Sequence, residues 1–334
     1  MKKLLVIVSL LIVNSSWAQL SDFNTTDFTI ADNVAKLNEG KSLNNLPLLA
    51  FELTHKLNTD VEKFRAIYMW VCENIRGDSR QDSEVSKHIQ LYKDDSLGFR
   101  QWNRDYKKTA LQKLVKYKKT MCTGYAYLIK ELSYLAGIEC KIINGYGRTI
   151  SANIDALEFK NHSWNVVKLN NKWYLCDATW SSGYIDDYSV FIKEWNEGYF
   201  LTEPKLFAQS HYPQDKQWLL DSTLIQSKFV PSPLVYGEAY AYKIMPLHPQ
   251  TMTVVVKKNS IVDFEFLSIA NASIDNISLI QIIDSKERAF DIYDIKQTNG
   301  HVTFKNKFEH RGTFDVHLKI NDDIIASYVI KVRS

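Results

Sequence analysis

Three residues in this chain have the types and spacing of a nucleophile, a base and an orienting acid: Cys122, His162 and Asp177. Cys122 opens a segment of helical period, Cys122-Thr123-Gly124-Tyr125, whose apolar positions Leu128, Ile129, Leu132, Leu135 and Ala136 stop at Gly137. A thiol at a helix start faces unsatisfied backbone amides and the positive end of the helix dipole, which together stabilise a thiolate. The Cys122 amide also points to where the oxygen of a tetrahedral intermediate would develop, which is half of an oxyanion hole.

His162 and Asp177 fall on the two arms of an expected hairpin, with strands over His162 to Leu169 and Lys172 to Cys176 joined by Asn170-Asn171. Asn tolerates positive φ, so the pair makes a two-residue turn that sets 169 opposite 172 and 164 opposite 177. His162 and Asp177 then share a face as diagonal neighbours at roughly 7–8 Å between backbones, a gap that imidazole and carboxylate can close with a hydrogen bond. In that arrangement Asp177 fixes the tautomer of His162, and His162 deprotonates Cys122 and later protonates the leaving group. Each residue alone has an ordinary structural explanation; the combination carries the chemistry. Trp164 faces Asp177 in the same register and is the aromatic expected to line a substrate groove.

The elements around these residues follow from period and punctuation. Asn45-Leu46-Pro47 places Pro near a helix start, and Thr59-Asp60-Val61-Glu62 is a capping box ahead of Phe64, Tyr68, Val71 and Ile75 at helical spacing. Gly77 sits where a left-handed C-terminal cap belongs. Residues 19–40 lack a sustained period and are expected to be a loosely tied N-terminal segment, and residues 78–107 a long polar excursion. A basic amphipathic helix is expected from 109 to about Tyr117. Beyond Pro231-Ser232-Pro233 seven strand-like runs, from Met252–Val256 to Ile324–Val332, alternate with turn clusters and predict a β-sandwich.

The remaining composition narrows the function classes. Lys2 and Lys3, the apolar run Leu4 to Val13 and the small residues Ser16 and Ala18 form a signal-peptide pattern with cleavage before Gln19, so the mature chain is expected to be exported and to lack an integral membrane segment. Losing that segment takes the formal charge from +3 to +1, because two lysines and no acids go with it. The basic cluster from Arg104 to Lys119 fits a solvated helix face, and no nucleic-acid partner is expected. Cys72, Cys122, Cys140 and Cys176 lack metal-ligand spacing; with Cys122 a free thiol, at most one internal disulfide can form, and the pair is open. No calcium loop, P-loop or dinucleotide fingerprint is present, so neither metal nor cofactor is expected.

With these residues in place the chain resembles the transglutaminase-like superfamily of the papain-like fold, and especially its bacterial exported members related to kyphoscoliosis-type peptidases. The resemblance is carried by Phe64 to Ile75, Cys122-Thr123-Gly124-Tyr125-Ala126, His162-Ser163-Trp164-Asn165 and Trp173 to Trp180. Tyr199 to Pro204, His211-Tyr212-Pro213 and Gln217 to Leu220 extend it, in order, over about 60–220. It implies a Cys122–His162–Asp177 triad acting on peptide or glutamine-side-chain amides of a protein or peptide substrate. The chain departs from the family at Thr120-Met121, where Gly and a small apolar residue are usual, and at Arg76-Gly77-Asp78, which lacks the usual Tyr before Asp. Trp102 and Gln112 are the nearest candidates for a second oxyanion donor, and neither is assigned.

The resulting expectation is an α+β protein: signal peptide 1–18, N-terminal segment 19–40, papain-like/transglutaminase-like catalytic domain 41–227 and an all-β immunoglobulin-like sandwich 228–334 whose partner is unknown. Hydrolysis through a thioester acyl-enzyme is favoured. The alternatives are a protein-crosslinking transglutaminase and a non-catalytic surface binding module that keeps the fold.

Overall fold

A computed structural model describes residues 20–154, 156–157, 160–269 and 274–334, so the signal-peptide pattern lies outside the described residues. Three helices come first: α1 (Thr29–Leu37), α2 (Leu46–Thr54) and α3 (Asp60–Asn74). The capping box forms as the sequence requires, with Thr59 accepting from the Glu62 amide and Glu62 accepting from the Thr59 amide at 2.9 Å. A parallel bridge of β1 (Arg76–Gly77) with β2 (Lys119–Thr120) then sends the chain into two neighbouring helices. One is α4 (Ser79–Leu91), which leads to α5 (Ser96–Tyr117); the other is α6 (Cys122–Leu135).

Behind α6 stands an antiparallel sheet of order β5-β4-β3-β8, built from β3 (Cys140–Gly147), β4 (His162–Leu169), β5 (Lys172–Cys176) and β8 (His211–Pro213). The short α7 (Ala178–Ser182) follows β5, and a hairpin of β6 (Gly183–Ile185) and β7 (Phe191–Lys193) leads on toward β8. The β4–β5 register is the expected one: Leu169 pairs with Lys172 and Asn165 with Cys176, while Asn170 and Asn171 both take positive φ.

Alternation along β4 gives the sheet two apolar faces. Val167 and Leu169 join the core formed by α1, α2, α3 and α6, where Phe64, Tyr68, Trp70 and Ile129 are fully buried. Ile143, Trp164, Val166 and Leu175 turn the other way and join a core that runs without a break into the C-terminal β region. That region holds β9 (Leu234–Val235), β10 (Ile244–His248), β11 (Thr253–Lys257), β12 (Ser260–Ser268), β13 (Ile277–Ile283), β14 (Lys286–Phe290), β15 (Ile292–Thr298), β16 (His301–Phe308), β17 (Gly312–Ile320) and β18 (Asp323–Arg333). One sheet has the order β10-β12-β16-β15 and the other β11-β18-β17-β13-β14, with β9 on β18. Their inward residues, among them Phe264, Phe266, Phe304, Val316 and Tyr328, share one core.

Three expectations need correction. The described part of the N-terminal segment, residues 20–40, is tied down: Ala31, Val34 and Ala35 bury one side of α1, Asp32 pairs with buried Arg65 at 2.7 Å, and Asp22 accepts from the Tyr174 hydroxyl at 2.8 Å. Their anchors are long-range, which local periodicity does not reveal. Residues 78–107 are largely helical, because Asp78 and Asp95 cap α4 and α5, whose side chains are mostly exposed. Gly77 is not a left-handed cap; it lies in β1, and a Cβ there would come 2.5 Å from the Phe191 ring. All four cysteines are free, a state the sequence leaves open.

Candidate active site

Cys122 is the first residue of α6, and Met121 before it contributes no side-chain cap. The amides of Gly124 and Tyr125 donate to the Met121 carbonyl at 2.9 and 3.2 Å, which leaves those of Cys122 and Thr123 to the thiol and to whatever approaches it. The close entry depends on Gly124: a Cβ there would overlap Thr120 Oγ1, forcing β2 and the first turn of α6 apart. Cys122 is half-exposed, with its Sγ 4.0 Å from the Asn161 carbonyl.

His162 is 8% exposed and Asp177 fully buried. His162 Nε2 donates to Asp177 Oδ2 at 2.7 Å, which leaves Nδ1 as the nitrogen away from the carboxylate. The Cys122 thiol is near enough to the same ring to act on its charge. Burial by itself would push the imidazole pKa down, but the Asp177 carboxylate, helped by Cys122, carries it up to about 10. Burial likewise works against the Asp177 charge, yet His162 and His211 hold its carboxyl well below the ordinary carboxylate range. The second oxygen of Asp177 accepts from the Thr179 and Trp180 amides at 2.8 and 3.4 Å, so the acid also caps α7 and cannot rotate freely.

His211 belongs to this cluster although its sequence position gave it no role. Its Nε2 lies 3.2 Å from Asp177 Oδ2, and its side chain is completely buried. The sequence signal that could have found it is the Gly145-Tyr146-Gly147 run within a strand, since glycines there mark a close backbone approach. Gly145 and Gly147 pair with Pro213 and His211 of β8.

Ligand atoms of His162, Asp177 and His211 all lie within 4.8 Å of one another, the spacing of a potential metal cluster. The donor set argues for hydrogen bonding. Around a tetrahedral ion with bonds of about 2.1 Å, ligand atoms stand roughly 3.4 Å apart, and the 2.7 Å between His162 and Asp177 is much shorter.

The aromatic surroundings differ from the expectation in one respect. Trp164 is 1% exposed and packs against Phe207 and His211, so it offers no surface to a substrate and instead backs the site. Half-buried Trp180 stacks on His162 with centroids 4.7 Å apart and is the indole that borders the base. Trp102 is stacked between His88 and Tyr106, and Gln112 is exposed on α5; these positions give no support to either as an oxyanion donor.

A family comparison falls on the segment that holds these residues. Residues 78–178 match the model of the transglutaminase-like superfamily, a span that includes all three residues of the Cys-His-Asp set. Kyphoscoliosis peptidase of Homo sapiens is 32% identical over 213 residues, covering 61% of this chain and 28% of that protein. The Mus musculus protein of that name gives the same identity and coverage. Hillarin of Drosophila melanogaster is 25% identical over 210 residues, 58% of this chain and 23% of its own length. The chain thus spans less than a third of the length of these relatives. On the family match and these likenesses, the chain carries a domain of the transglutaminase-like superfamily.

Proposed function

We propose that the chain is an exported cysteine hydrolase that cleaves peptide or glutamine-type amide bonds through a thioester acyl-enzyme. The observation that carries this reading is the 2.7 Å bond from His162 Nε2 to Asp177, with the helix-start thiol of Cys122 beside the same ring. Nδ1 of His162 holds the proton given up by the thiol, so that the ring is an imidazolium before the substrate arrives, and the Cys122 sulfur adds to the amide carbonyl. The resulting oxyanion is met by the backbone amide of Cys122. As the tetrahedral intermediate collapses, the carbon–nitrogen bond breaks and His162 gives its proton to the departing amine. Water, deprotonated by the same imidazole, then releases the carboxylic acid and the free thiol.

Hydrolysis is favoured over amine transfer by the peptidase name borne by the mammalian relatives. Export is proposed from the N-terminal pattern of residues 1–18. The test is to incubate the protein and its Cys122→Ala variant with a peptide mixture and excess lysine-type amine. Cleaved or deamidated peptides that require Cys122 support hydrolysis; amine adducts that require Cys122 would assign crosslinking instead. No product that depends on Cys122 would leave a binding module.

A further inference from the structure

The hydrogen bonds behind Asp177 continue away from the thiol. Asp177 Oδ2 is a carboxylate oxygen and can only accept, so His211 Nε2 must donate to it across 3.2 Å. Burial outweighs the neighbouring carboxylate and the Phe207 carbonyl and draws the His211 pKa down to about 4, so the ring is neutral and carries one proton. Its Nδ1 is then an acceptor, and the Ser210 hydroxyl, 3.0 Å away, donates to it. Ser210 Oγ in turn bonds to the Tyr240 hydroxyl, which must be the donor because the Ser210 proton is already used. Every proton in the series Tyr240, Ser210, His211 thus points toward Asp177.

Tyr240 lies in the turn of helix Gly237–Ala241 that leads into β10, and it is fully buried in the core shared by the sheet and the C-terminal β region. Its ring stacks on Tyr199 with centroids 4.3 Å apart, and the Tyr199 carbonyl accepts from the Asp177 amide at 3.1 Å. The imidazole of His211 stacks on Phe207 at 3.9 Å, which fixes its plane.

We propose that His211 is a positioning residue that acts on His162 through Asp177, as the inner end of a hydrogen-bond chain anchored at Tyr240. The proposal rests on the catalytic reading of Cys122 and His162 given above. Two imidazoles donating to one oxygen hold the carboxylate in the single orientation that keeps His162 Nδ1 toward the thiol. The chain also makes the base sensitive to how the segment entering the C-terminal β region is seated.

The test compares the pH profile of Cys122 alkylation, followed by peptide mass spectrometry, in the wild type, His162→Ala, His211→Leu, His211→Gln and Tyr240→Phe, with thermal unfolding recorded for each. Loss of one hydrogen bond to a charged group predicts alkylation about ten-fold slower at neutral pH in His211→Leu. His211→Gln, which keeps an N–H donor, should recover most of the rate, and Tyr240→Phe should slow it about three-fold by releasing the Ser210 hydroxyl. A folded His211→Leu protein with the wild-type profile would overturn the proposal, as would equal slowing by Leu and Gln. Should His211→Leu fail to fold, an unchanged profile in Tyr240→Phe would overturn the chain. If the wild type shows no reactivity dependent on His162, the catalytic reading itself falls, an outcome that His162→Ala separates from the others.

Discussion

His162 and Asp177 meet across a hairpin whose register is set eight residues from the histidine, at Asn170-Asn171, and the resulting Nε2···Oδ2 separation is 2.7 Å. The geometry makes the two inseparable in function: the carboxylate chooses which nitrogen of the imidazole carries the proton.

Replacing Asp177 by Asn should therefore reverse the tautomer. An amide nitrogen placed toward His162 and His211 offers a proton where both rings already donate. By analogy with the acid of a Ser-His-Asp triad, turnover should fall by about four orders of magnitude. Kinetics on a cleaved peptide, with circular dichroism to show retained fold, checks this.

Only one of the four thiols should react in the native protein. Cys72, Cys140 and Cys176 are buried, and burial raises the pKa of each, that of Cys140 to about 12. Native alkylation with a small haloacetamide should label Cys122 alone, and all four should label in denaturant. Labelling of Cys176 at a rate matching Cys122 would contradict the packing described for β5.

Gly124→Ala should destabilise the protein by about 1–3 kcal/mol, the usual cost of forcing extra volume into a packed site. The added methyl meets Thr120 Oγ1 and Cγ2. A second change, Thr120→Ala, should return part of that loss, and chemical denaturation of the four proteins in this cycle measures the coupling.

Stability should peak near neutral pH for a reason that can be assigned to two rings. His211 is held neutral down to about pH 4, so between its ordinary value of 6.5 and 4 the unfolded chain binds a proton that the folded chain refuses, and stability falls as pH falls. His162 is held protonated up to about pH 10, so between 6.5 and 10 the folded chain keeps a proton that the unfolded chain has released, and stability falls as pH rises. Each limb has a limiting slope of about 1.4 kcal/mol per pH unit. Thermal unfolding across this range should lose its acidic limb in His211→Gln and its alkaline limb in His162→Gln.

The placement of Cys122, His162 and Asp177 is legible in the sequence because each is set by a local device: a helix start for Cys122, a two-Asn turn for His162, and the end of the paired strand for Asp177. The helical turns at 79–107 are not legible, because they are set by caps and their side chains are mostly exposed, whereas the helix expected from 109 to about Tyr117 is the last part of α5. His211 escaped for the opposite reason. It reaches Asp177 from a three-residue strand 34 positions downstream, and the one sequence hint of that approach, Gly145 and Gly147, lies in a different strand. Trp164 was placed on the correct strand and in the correct register. What alternation could not say is that the face it shares with Val166 is covered by the C-terminal β region.

The coupling of Cys122 to His162 is the centre of this account, and the pH dependence of Cys122 alkylation in wild type and His162→Ala tests it most directly. Alkylation of the wild type should be rapid at neutral pH and largely lost in His162→Ala. Profiles that coincide in the two proteins, or a Cys122 that stays unreactive at every pH, would contradict it.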